Sequence, residues 1–262
     1  MSNKVFYTEL NPQEFEERLL KAPIAYLPMV TLEWHRRHMP LGADGLISSG
    51  FFIELAKKVG GIVLPMLFLA PDSFKNINQK EYYGMDFLSD GIRVDKEKGE
   101  FIIDEKYPFG NPIQLIGSAY WVKNDFFKQI IEAILKQLKR AGFKIVVAHG
   151  HGPSVDLFNH YENNWRKKFE LELYTCWEED GFRDELGIQT DHAASNETSL
   201  MMAIRKDLVN IDNLPRDMDE KPLGIIGKDP RKFASEEIGK KTISLHVDRM
   251  EKILKEKMNE FK

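Results

Sequence analysis

The chain carries one cysteine, Cys176, so it can form no disulfide within itself. That fits a reducing, cytoplasmic setting, and the apolar flanks of Cys176 mark it as a packed residue rather than a nucleophile. No stretch approaches the ~18 consecutive apolar residues of a membrane span. The opening segment, Met1 to Glu9, is polar and lacks the apolar centre of a signal peptide. Charge of one sign is lacking too: the formal net charge is −4, with lysines and acids interleaved. No global basic field therefore recruits nucleic acid or an acidic membrane. The short basic runs Arg36-Arg37, Lys57-Lys58 and Arg166-Lys167-Lys168 read as solvated surface. There is no internal repeat and no low-complexity stretch. What remains, over 262 residues, is an ordinary globular composition with ample material for a core, in one large domain or two small ones.

The hydrophobic pattern gives alternating strands and helices. Asn11-Pro12-Gln13-Glu14 reads as a capped helix start, running to about Lys21. Ile24 to Val30 is an apolar run bounded by Pro23 and reads as a buried strand. Leu46 to Val59 has helical periodicity and stops at Gly60-Gly61; Ile62 to Leu69 reads as a second strand. Strand, helix and strand in this order imply a right-handed parallel crossover. Residues 71–110 are polar, aromatic-rich and irregular, and read as an insertion. A hairpin is expected within it (Gly91 to Val94 with Glu100 to Asp104), and a lid, an oligomer contact or a solvated decoration are all open for the whole. Asn124 to Arg140 is the strongest amphipathic helix, followed by the buried strand Phe143 to Ala148. Phe158 to Leu171 is expected as helix, Leu171 to Cys176 as strand, and Ala234 to Glu237 as the start of a final helix.

Three stretches carry chemistry. After the first strand, Glu33 and His35 lie two residues apart and project to one side if the chain stays extended. Pro40, Gly42 and Gly45 then let the backbone turn, which would return Asp44 towards the pair. Two carboxylates and an imidazole make an oxygen/nitrogen site suited to a divalent metal. Glu-x-His is short, however, and a polar loop is an equal reading of this stretch alone. His149-Gly150-His151-Gly152-Pro153 follows an inner strand directly, where open α/β sheets place their ligands. Asp191 and His192 read as a metal or proton-transfer pair. Glu197, five residues beyond His192, reads either as a ligand or as a first-turn helix acid favoured by the dipole.

Together these stretches resemble the creatininase (creatinine amidohydrolase-like) family of metal hydrolases. The family's Glu-x-His-x-x-His-x-Pro-Leu-x-x-Asp loop is matched by Glu33 to Asp44, which read Glu-Trp-His-Arg-Arg-His-Met-Pro-Leu-Gly-Ala-Asp. Its Asn-Gly-His-Gly-Gly-Asn turn is matched by His149-Gly150-His151-Gly152-Pro153-Ser154. Its His-Ala-Gly-x-x-Glu-Thr-Ser segment is matched by His192 to Ser199. Gly227-Lys228-Asp229-Pro230, with Ala234-Ser235 and Gly239, is a weaker fourth match. The segments run in the family's order over roughly Ile24 to Lys240, most of the chain.

The resemblance implies a single domain spanning 1–262 with an α/β fold, a three-layer α/β/α sandwich around a mainly parallel sheet, assembled as a homo-oligomer, often a hexamer. It implies two divalent metal ions, zinc first, with manganese or iron as alternatives. Glu33 and His151 would bind one ion, His35 and Glu197 the other, with Asp44 between them. His192 would pass a proton to the departing amide nitrogen, and Glu197 would share in catalysis. Trp34, Arg36, Arg37, His149 and Asp191 flank these positions and are expected at the substrate-binding rim. The activity implied is hydrolysis of a small cyclic or linear amide by metal-activated water. The alternatives are a non-catalytic, oligomeric metal-binding relative and a peptide-processing metalloprotease. The chain departs from the family at that rim. Arg36 and Arg37 replace the usual Gly-Pro, His149 replaces Asn, Ala194 replaces Gly, and Pro153-Ser154 replaces Gly-Asn. Creatinine-cleaving members carry Tyr-Glu after the histidine matching His151; here the residues are Gly152 and Pro153, which points away from creatinine itself. The arginines fit either an anionic substrate or a subunit contact.

Overall fold

A computed structural model describes residues 4–72, 74–77, 79–83, 92–94, 101–103, 120–176, 187–220, 222 and 224–261. Its centre is a parallel sheet of four strands: β1 (Ile24–Met29), β2 (Ile62–Val63), β7 (Ile145–Gly150) and β8 (Glu172–Thr175), in the order β2-β1-β7-β8. Between β2 and β7 in the chain lie two small antiparallel pairs, β3 (Phe74–Ile77) with β4 (Lys80–Tyr83), and β5 (Ile92–Val94) with β6 (Phe101–Ile103). The second pair is the hairpin expected from the sequence. The turn between its strands lies outside the described residues.

Side chains alternate across the strands, and that alternation divides the interior in two. Ile24, Tyr26, Val63, Ile145 and Val147 face one core, with α2 (Ala43–Val59), α5 (Ser195–Arg205) and α7 (Glu236–Asn259). Ala25, Leu27, Met29, Ile62, Val146 and Ala148 face the other, with α3 (Asn124–Ala141) and α4 (Gly152–Phe169); Phe15 and Leu19 of α1 (Pro12–Lys21) pack against it. Every residue of β1 and β7 is buried, as parallel strands covered on both faces require. The result is the expected α/β/α sandwich.

Local chemistry sets the helix boundaries. Asn11 and Glu14 form a complete capping box at α1. Gly142 closes α3 in the left-handed conformation. Asp229 caps the single-turn α6 (Pro230–Phe233), and Ser235 caps α7.

Three expectations shift. The second strand stops at Val63, because Pro65 has no N–H to continue a ladder; beyond it, Leu67 still bonds Pro28 and Val30 across to β1. Helix α2 begins at Ala43, so Asp44 sits inside its first turn rather than in a returning loop. Helix α4 begins at Gly152, so His149 belongs to β7 and His151 is the N-cap residue between strand and helix. No helix among the described residues is long and apolar enough to cross a membrane.

Candidate metal centre

The carboxyl ends of β1 and β7, paired Met29 to Gly150, define the floor of the centre. Glu33 and His35 come from the loop after β1, Asp44 from the first turn of α2, His151 from the junction of β7 with α4, and Glu197 from the first turn of α5. All five side chains are buried. Asp44 stands between the others. Its Oδ1 lies 3.2 Å from His35 Nε2, and its Oδ2 lies 3.2 Å from His151 Nδ1. His35 Nε2 is also 3.5 Å from Glu197 Oε2, and His151 Nδ1 is 3.5 Å from Glu33 Oε1. Two ligand groups result, Glu33-Asp44-His151 and His35-Asp44-Glu197, and within each the ligand atoms lie within 4.8 Å of one another. Glu33, His35 and His192 form a third such group, with His192 Nδ1 3.5 Å from Glu33 Oε1.

The histidines are anchored from behind. His35 Nδ1 faces the Glu33 carbonyl at 3.3 Å, His192 Nε2 the Trp34 carbonyl at 3.0 Å, and His151 Nε2 the Asp72 carboxylate at 3.2 Å. Carbonyls and carboxylates accept, so once neutral each ring would carry its proton on the outer nitrogen and leave the inner one free for a cation. Imidazoles that ligate metals are held in this way. Glu33 Oε2 and His35 Nε2 are buried without a hydrogen-bond partner, a costly arrangement that a bound cation would relieve. The donor set, hard oxygens with imidazole nitrogens, suits zinc or manganese.

The electrostatics agree. Burial pushes the Glu33 carboxyl up to about 8 and Glu197 well above the usual range. Burial also opposes charge on His35, but Asp44, Glu197 and Glu33 outweigh it and lift that imidazole to about 10. His151 is raised in the same way by Glu33, Asp44 and Asp72, against the cost of burial. Asp44, despite its burial, is held far below its ordinary value by His35 and His151. The carboxylates thus draw protons onto two imidazoles, which is a demand for positive charge; divalent cations would meet it and displace those protons. His192 behaves differently: burial and the neighbouring His35 depress it to about 3, so it is neutral at physiological pH.

The remaining candidates are placed as follows. Trp34, Arg36 and Arg37 line a hollow of about 500 Å³ with Met39, Pro40, Leu41 and Asn213. Both oxygens of Asp191 accept backbone N–H groups at the start of α5, from Asn196 (2.8 Å) and Glu197 (3.1 Å), so it fixes the helix that carries Glu197. His149 is wholly buried, 3.0 Å from the Ser48 hydroxyl and flanked by the rings of Phe51 and Phe52. His38 is buried and bonds Thr198 of α5, and burial lowers it to about 4. Two residues reach the centre with no signal in the sequence. Asp72 stands behind His151, and Gln189 Nε2 donates to Asp44 Oδ1 at 2.8 Å. Backbone strain gathers here as well. Arg36, Gln189 and Ala193 are non-glycine residues with φ of 58°, 52° and 52°.

Comparison with known proteins places this geometry. Residues 107–254 match the creatininase family, described as creatinine amidohydrolase. A creatinine amidohydrolase of Pseudomonas putida is 26% identical over 218 residues, 82% of this chain and 77% of that protein. A crystal structure of creatinine amidohydrolase superposes with a TM-score of 0.68 at 19% identity, covering 98% of both chains. A manganese form of creatininase gives 0.65 at 21% identity over 97% of this chain and 98% of that one. A creatininase variant described as the Zn–Zn type gives 0.68 at 19% identity, over 98% and 99%.

Proposed function

The chain belongs to the creatininase family of metal-dependent amidohydrolases, and we propose that it cleaves a small cyclic or linear amide other than creatinine at a centre of two divalent ions. One observation carries the reading: two ligand groups from distant parts of the chain converge on a single shared aspartate, Asp44. Glu33, Asp44 and His151 would hold one ion, and His35, Asp44 and Glu197 the other. Zinc is the first candidate and manganese the second, since solved structural relatives include Zn–Zn and Mn forms. When bound, such ions supply Lewis acidity that polarises a carbonyl and acidifies water.

The chain's own groups do the rest. His192 gives its Nε2 proton to the Trp34 carbonyl, so Nδ1 is the basic atom on the side of Glu33. It takes up the proton that water releases on adding to the amide carbon and passes it to the departing nitrogen as the C–N bond breaks, so that nitrogen does not leave as an unstable amide anion. Burial of all five ligands excludes bulk water and keeps the carboxylates from exchanging with it. Asp191 holds the first turn of α5, and through it Glu197, in place. The Trp34, Arg36 and Arg37 hollow takes an anionic group of the substrate, the guanidinium groups supplying paired N–H donors. The family resemblance further supports assembly as a homo-hexamer.

The test is metal analysis followed by assay. Protein purified without chelator should carry one to two equivalents of divalent metal and hydrolyse members of an amide and lactam panel, creatinine being turned over least. Asp44→Ala should lose both metal and turnover. Wild-type protein that takes up no divalent ion would end this reading.

A further inference from the structure

Asp44 and Ser48 lie one turn apart on the same face of α2, and Gln189 spans the two. Its amide nitrogen donates to Asp44 Oδ1 at 2.8 Å, and its amide oxygen accepts from the Ser48 hydroxyl at 3.2 Å. Ser48 Oγ in turn lies 3.0 Å from His149 Nδ1. All of these side chains are buried. The chemistry leaves one direction for the series. A carboxylate only accepts, so the amide must turn its NH₂ towards Asp44 and its oxygen towards Ser48. Ser48 has a single proton and gives it to that oxygen. The hydroxyl can then only accept from His149, which must carry its proton on Nδ1.

We infer that Gln189 is a positioning residue for the shared aspartate, the head of a one-way hydrogen-bond chain running from His149 through Ser48 and Gln189 to Asp44. The inference rests on the metal-centre reading above. The amide occupies one position at Asp44 Oδ1, and this fixes the rotation of the carboxylate between His35 and His151. Gln189 holds a left-handed backbone conformation, φ 52°, that a glutamine does not adopt without compensation. The bond to Asp44 is that compensation. His149 is wholly buried between the rings of Phe51 and Phe52, with Ser48 at its Nδ1. His149 is thereby assigned to the support of Asp44 and not to contact with substrate.

Because Asp44 belongs to both ligand groups, loss of Gln189 must weaken both ions, whereas loss of a group behind one ligand weakens one. The experiment titrates the full-length wild type, Gln189→Leu and Ser48→Ala with Zn²⁺ against a chromophoric chelator, and follows thermal unfolding of each in EDTA. Gln189→Leu should bind both ions ~10–100-fold more weakly, the loss typical of groups that orient metal ligands. Its metal-free unfolding temperature should stay close to that of the wild type. Ser48→Ala should weaken both ions in the same sense and by less. Nitrogen-15 NMR of the wild type should find the His149 proton on Nδ1. Should Gln189→Leu fail to fold, Ser48→Ala and the tautomer decide. Unchanged affinities, a loss confined to one ion, or a proton on Nε2 would overturn the inference. A wild type that binds no ions would overturn the metal centre itself, a result distinct from two tight ions that ignore these substitutions.

Discussion

Gly150 is where the sheet and the centre meet, and an alanine there should disturb both. The residue ends β7 opposite Met29. A Cβ at this position would overlap the Met29 carbonyl oxygen and lie 2.6 Å from its carbon. That oxygen is already occupied, accepting from the His151 amide at 3.1 Å and from the Ser154 hydroxyl at 2.8 Å. The obstacle is backbone, so it cannot rotate away; relief needs a shift on the order of 1 Å between β1 and the start of α4. Two hydrogen bonds at about 1 kcal/mol each are lost or weakened, and packing strain adds to that. The expected cost of Gly150→Ala is roughly 2–4 kcal/mol, or roughly 4–16 °C in unfolding temperature for a chain of this size. The same shift carries His151 off Asp44 and Glu33, so one ion should bind at least ~10-fold more weakly, the loss seen when a ligand's support is disturbed. Thermal unfolding in EDTA measures the first effect and chelator competition the second. A Gly150→Ala protein with wild-type unfolding temperature and wild-type affinity for both ions would show that the junction is not rigid, and that His151 is not placed by it.

Further outcomes follow from other contacts. Asp72→Asn replaces the carboxylate behind His151 with a poorer acceptor; the ion shared by Glu33, Asp44 and His151 should weaken ~10–100-fold while the other is retained, as metal titration would show. His38 titrates at about 4 in the folded protein against an ordinary value of 6.5. The unfolded chain therefore takes the proton first, and stability is full above pH 6.5 and lost as pH falls towards 4. The difference amounts to about 3 kcal/mol, and denaturant melts of wild type and His38→Asn across this range should diverge by that amount. Arg36→Ala should lower kcat/KM for an anionic amide ~10-fold more than for a neutral one, the scale of one charge-assisted contact; equal effects on the two substrates would remove the anion from the proposal.

Much of this was legible in the sequence because it is local. Unbroken apolar runs gave β1 and β7, the stripe from Phe127 to Leu138 gave α3, and the family resemblance carried by the motifs brought forward Glu33, His35, Asp44, His151 and Glu197. What could not be read is tertiary. His149 and His151 lie two residues apart and would share a face of a continued strand; the turn into α4 separates them, sending one among phenylalanines and the other to the carboxylates. Asp191 precedes His192 and invites pairing with it, yet its oxygens reach forward to the amides of α5. Asp72 stands at the edge of an irregular polar stretch, and Gln189 is a common residue in an unpatterned one. Neither signals a partner that lies 79 or 145 positions away along the chain (151 − 72; 189 − 44).

The ligand groups draw on the loop after β1, on α2, on the end of β7 and on α5, so no fragment short of Glu197 contains a complete pair of sites. With two ions bound as proposed, a nascent chain emerging from the ribosome would hold, at most, the first before the second had a home. Cation capture would then be a late checkpoint, and a metal-loaded molecule would certify that the first turns of α2 and α5 have met the ends of β1 and β7.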